Sequence, residues 1–186
     1  PIPAHWGDLR WRGYNEAAFR LARALAMYAL NGSQPAAADA EAARASSAAG
    51  SMWTELIPAE LEAARAWRVE KDGAKSAKAL LRATMALDAI PYLEPPRWYY
   101  PPRQCLGYVL LAGSRTAKPN ATAALKVFTR DLDDFPENAW SLRGAADALE
   151  ALGRIAEAKG YRERMSIAWQ FADVWSRPPS CPQLSE

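Results

Sequence analysis

The sequence predicts an all-α fold, and three observations carry that prediction. Apolar residues recur at helical spacing along most of the chain. No stretch alternates apolar and polar residues as a half-buried strand would. Alanine is the commonest residue, against only five threonines and four phenylalanines. Alanine, leucine, arginine and glutamate favour helix, whereas β-branched residues favour strands.

The elements follow in order. A first helix is expected over Asn15–Leu30, with Phe19, Leu21, Ala22, Leu25, Ala26 and Tyr28 on one broad face. Asn15 is its expected N-cap, and Asn31-Gly32-Ser33 with Pro35 is its stop. The second, Pro35–Ala49, is so rich in alanine that it must lie close against a neighbour. The third runs Ser51–Lys71, with a kink or restart expected at Pro58 because proline lacks the N–H. Asp72-Gly73 breaks it, and Lys75–Ala89 resumes with Ala79, Leu80, Ala83 and Leu87 on one side. Five prolines within Pro91–Pro102 forbid a continuous helix there. Helices are then expected over Arg103–Gly113, Thr122–Asp134, Glu137–Leu152 and Arg154–Val174.

Composition narrows the functions. The 186 residues carry 23 Lys plus Arg against 21 Asp plus Glu, a net charge of +2. That balance lacks the strongly basic face that nucleic-acid binding needs. No apolar run approaches the ~18 residues of a membrane span. One histidine, His5, and two cysteines are too few for a structural zinc site. The run Asp131-Leu132-Asp133-Asp134 lacks the glycine turn and distal glutamate of a calcium loop and is expected to be a solvated face. Pro1 as first residue is read as a sign of processing, truncation or partial sequencing. No phosphate loop, nucleophile elbow or paired-carboxylate signature is present. No catalytic, cofactor or metal residue is therefore assigned, and the chain is expected not to be an enzyme.

An internal repeat gives the architecture. Ala124 and Ala158 stand 34 residues apart, and Ala124, Phe128 and Pro136 fit the pattern Ala-x3-Phe followed by proline. On preceding helices, Leu106-Gly107-x2-Leu110, Ala145-Ala146-x2-Leu149 and Ala63-Ala64-x2-Trp67 occupy a common slot. These residues resemble the tetratricopeptide repeat, most fully over Leu61 to Val174. Its early first-helix aromatic is replaced here by Glu60, Arg103 or Leu142, and Arg162 stands where Phe128 would predict an aromatic. A longer loop, Ser114 to Thr122, interrupts the period. The segment from Glu94 to Gly107 is similar to the C-terminal part of longer bacterial-type tetratricopeptide proteins. The resemblance implies an α-solenoid of about four antiparallel helix hairpins in a right-handed superhelix. It gives an N-terminal extension over 1–14, a repeat domain over 15–175 and a proline-rich tail over 176–186.

The function expected on that basis is a non-enzymatic module for protein–protein interaction or assembly, binding a protein or peptide on the face of its first helices. Trp98, Tyr99 and Tyr100 form either a stacking platform or a plug between hairpins. Trp6 and Trp11, with Tyr14, Arg10 and Arg12, form either a cap or a contact with a partner. Arg65, Arg68, Arg103 and Arg143 lie on first helices as candidate anion contacts. The alternative is a structural subunit stacking end to end into a filament through Trp169 and the N-terminal aromatics. Asn31 and Asn120 are N-glycosylation acceptors by sequence, so a secreted or extracellular location is weakly favoured. Cys105 and Cys181 would pair if the tail folds back over the third hairpin, which spacing alone leaves open.

Overall fold

The computed structural model describes residues 12–30, 35–48, 53–91, 98, 101–172 and 181, and every regular element among them is helical. The helices are α1 Arg12–Ala29, α2 Pro35–Ala48, α3 Leu56–Arg65, α4 Gly73–Asp88, α5 Pro102–Ala112, α6 Ala121–Asp134, α7 Ala139–Ala151 and α8 Ile155–Ala168. The last turn of α3 widens into a π-helical segment, Ala66–Glu70.

Local chemistry fixes the helix ends. Asp72, Asn120 and Asn138 are the N-caps of α4, α6 and α7, and their side chains accept from the backbone N–H groups of Lys75, Ala123, and Trp140 with Ser141. Each bond satisfies a first-turn donor that has no partner within the helix. Two expected ends differ. Helix α1 begins at Arg12, so Asn15 lies in its first turn and does not cap it. Helix α3 begins at Leu56, which puts Pro58 in its first turn. A missing N–H costs nothing there, so no kink is required. The π-helical segment closes where Lys71 takes up the left-handed conformation (φ 56°) and its N–H returns to the carbonyl of Ala66. Helix α8 ends at Ala168, not Val174.

Neighbouring helices pack on one another in chain order, from α1 on α2 through α7 on α8, and α5 also touches α7. The larger core joins α1 to α5 through Leu21, Tyr28, Leu56, Ile57, Leu80 and Leu106. In α2 the buried Ala38 and Ala45 allow the close approach to α1 that its composition requires. The buried Glu41 between them is met by Arg20, Arg23 and Arg44.

The smaller core centres on Phe128 with Ala124, Ala145 and Ala148. The Phe128 ring fills the space over two glycines. A methyl group at Gly107 on α5 would stand 2.5 Å from its Cζ, and one at Gly144 on α7 would collide with the same atom. One aromatic ring thus fixes the approach of three helices.

Two long-range ties complete the frame. Cys105 on α5 and Cys181 form a disulfide, both fully buried. The 113–120 connection docks on the start of α4, where Ser114 Oγ accepts from Gly73 N at 3.0 Å and Thr116 Oγ1 donates to Asp72 at 2.7 Å.

Two outcomes follow from this packing. Gly107→Ala should lower stability by ~1–3 kcal/mol through overpacking, despite alanine's higher helix propensity, and Phe128→Leu should partly rescue it in urea denaturation. A neutral Gly107→Ala would show that the ring does not sit there. Cys181→Ser should cost about 4 kcal/mol by the entropy of opening a loop of this length, given its sequence separation of 76. Equal denaturation midpoints with and without reductant would remove the bond from the fold.

Candidate functional site

Trp98, between α4 and α5, lies in the core and is 5% exposed. Its ring stacks on Trp53 with centroids 5.1 Å apart. Its indole N–H donates to Glu60 Oε1 on α3 at 2.8 Å. Trp98 therefore plugs this part of the molecule and is not an open platform.

Glu60 is itself buried, and its other oxygen, Oε2, has no hydrogen-bond partner. Burial pushes its carboxyl up to about 8, only partly opposed by the bond from Trp98. The group is thus held largely neutral near pH 7. Nothing in the sequence marked Glu60 except its place in the slot where an aromatic was expected.

The first-helix arginines are engaged within the chain. Arg103, 7% exposed, holds Asp88 at 2.5 Å and Asp134 at 2.8 Å, bridging α4, α5 and α6. Arg65 pairs with Asp39 at 2.9 Å and with Glu70. Asp39 also accepts from the Tyr28 hydroxyl at 2.6 Å. Burial pushes the Asp39 carboxyl up, but the bonds from Tyr28 and Arg65 outweigh it and hold it below its usual value. Arg68 is buried. Arg143 is half-buried with its Nε 3.8 Å from Asp147.

The acidic run at the end of α6 is only partly a solvated face. Asp133 and Asp134 are exposed, but Asp131 is fully buried, accepting from Gln104 at 3.1 Å and from Ser141 at 2.5 Å. Burial raises its carboxyl above the ordinary aspartate value. Asp131 therefore ties α6 to α5 and α7. Among the described residues no group of three or more His, Cys, Asp or Glu is placed to hold a metal ion. No helix among them is long and apolar enough to cross a membrane.

Four of the partly exposed aromatic residues form two pairs. Trp67 and Tyr108, on the π-helical segment and α5, meet edge to face with centroids 6.0 Å apart, each half-buried. Trp140 on α7 and Trp169 form a second edge-to-face pair at 5.0 Å. Such rings combine an apolar body with a polar tip and are common at interfaces. The sequence pointed to Trp169, offered Trp67 only as a repeat position, and did not single out Tyr108. Asn120 is exposed and caps α6 through Oδ1, so its amide nitrogen is not needed for the cap. Its loop is nevertheless docked, because the Asn120 N–H bonds back to the Leu110 carbonyl. Trp6, Trp11, Tyr99, Tyr100 and Asn31 lie outside the described residues. No family model, curated protein or solved structure matches this chain.

The neutral Glu60 makes stability depend on pH. Its folded value lies above the unfolded one, so its stabilising effect is complete below about pH 4.5 and is lost as pH rises towards about 8. Unfolding free energy should fall across that window with a slope approaching ~1.4 kcal/mol per pH unit from this group. Glu60→Gln should remove that component in denaturation measured at several pH values. An unchanged slope would mean that Glu60 is ionised in the folded protein.

Proposed function

We propose that this chain is a tetratricopeptide-like α-solenoid that works without catalysis as a protein-interaction module. The observation that carries the proposal is the small-to-large seam in which Phe128 lies against glycines of both flanking helices. Serial packing of each helix on its sequence neighbours supports it, since solenoids are built from units that contact only adjacent units. An extended peptide is the partner class that such an array accommodates. Its contact residues are the half-buried Trp67 and Tyr108. The Cys105–Cys181 bond suits an oxidising compartment, and Asn120 is the acceptor proposed to carry a glycan there.

A second reading is favoured by a specific observation at the other end. Helix α8 leaves Ile155 and Ile167 more than half exposed, and Phe171 just beyond it is 94% exposed. End-to-end stacking into a filament would cover them.

Selection from a displayed library of extended peptides tests the module. Binders should emerge whose affinity falls by about tenfold, or 1.4 kcal/mol, when Trp67 or Tyr108 is replaced by alanine. Circular dichroism should show both variants still folded. Binders insensitive to both substitutions, or none at all, would overturn the assignment of this face.

A further inference from the structure

We propose that the outward face of α8 is a two-fold interface on which α8 of a second copy of this chain docks antiparallel. This goes beyond the interaction-module reading, and it differs from end-to-end stacking because the same face is used by both copies and the assembly closes at two.

Helix α8 packs on α7, and its only buried residue is Ala158. Ala156, Gly160, Glu163 and Ile167 are all exposed. Their spacings of four, three and four place them along one outward stripe, the a and d positions of a heptad. Ile167 is 66% exposed, and Phe171, one turn further along, extends the apolar surface. Among the described residues nothing covers this stripe at Gly160, where an added methyl group would meet no atom within 4 Å. The other end of the disulfide, Cys181, is fixed at α5, not at α8.

The charges beside the stripe identify the occupant. Glu157 and Arg164 flank it on one side, Lys159 and Ser166 on the other. When two such helices run antiparallel about a dyad between Tyr161 and Arg162, like flanks face each other. Glu157 then lies opposite Arg164 of the second copy, and Arg164 opposite Glu157 of the second copy. In the stripe, each Ile167 lies over Ala156 of the other helix, and each Gly160 lies beside Glu163. A parallel pairing would instead bring opposite flanks together, setting Lys159 against Arg164 of the second copy, which is repulsive. The charged flanks are therefore complementary in one orientation and repulsive in the other. Within one copy Glu157 is held by Arg154 and Arg164 by Glu137, and all four side chains are exposed enough to share those contacts.

Sedimentation of the full chain over a range of concentrations tests the proposal, with circular dichroism confirming that each variant remains helical. The unmodified chain should form a dimer and nothing larger. Glu157→Arg and Arg164→Glu should each weaken it by about tenfold, because each sets like charges together twice. Mixing the two variants should restore a heterodimer, since the arginine introduced in one copy would then face the glutamate introduced in the other. A monomer at every concentration, open-ended growth, a dimer indifferent to both reversals, or failure of the mixture to recover would each overturn it.

Discussion

The ring of Phe128 governs the spacing of the second half of the molecule. It projects from α6 into room left by Gly107 on α5 and Gly144 on α7, where any side chain would collide with it. Glycine weakens a helix interior by about 1 kcal/mol relative to alanine, so two of them in adjacent helices need a compensating gain. Burial of one aromatic ring, worth roughly 1.5–3 kcal/mol, together with the close approach of three backbones, supplies it. Ala124, Ala145 and Ala148 are buried in the same cluster as the ring.

Around that apolar centre the helices are registered by buried polar groups. Glu60 is tied to Trp98, Arg103 bridges Asp88 and Asp134, and Asp131 joins Gln104 to Ser141. These contacts give direction where alanine-rich surfaces offer little shape. An alanine face can slide along its neighbour at small cost, whereas a buried carboxylate loses its partner if the helix shifts by one residue. Glu60 and Asp131 each keep one oxygen without a partner. Burial raises both carboxyls, which lessens the cost of a buried charge without supplying the missing partner.

The sequence made the helical class and most helix positions legible, because both rest on local information. Spacing of apolar residues placed α4 to α7, and the repeat pattern singled out Gly107, Ala124 and Phe128, though not the contact of Gly107 with the Phe128 ring. The caps at Asn120 and Asn138 are local too, yet residue spacing starts those helices at Thr122 and Glu137 and does not mark the caps. What else escaped depends on partners far along the chain. Glu60 finds Trp98 38 residues away, and Asp131 finds Gln104 27 residues away. A buried aspartate and a solvated one look alike in an acidic run until that partner is known. The widened π-helical turn at Ala66–Glu70, closed by the left-handed Lys71, likewise has no signature in residue spacing.

The bond between Cys105 and Cys181 has a mechanical consequence. Helices stacked in series normally peel away from an end, one after another, when the chain is pulled. Here α5 is joined covalently to a residue beyond α8, so α6, α7 and α8 lie inside a closed loop that tension at the two termini bypasses. The 76-residue separation amounts to roughly 260 Å of extended chain that cannot lengthen while the sulfurs remain joined. Stretching would unravel α1 to α4 and leave the Phe128 region slack and folded, making one half of the molecule extensible and the other a fixed knot of constant length.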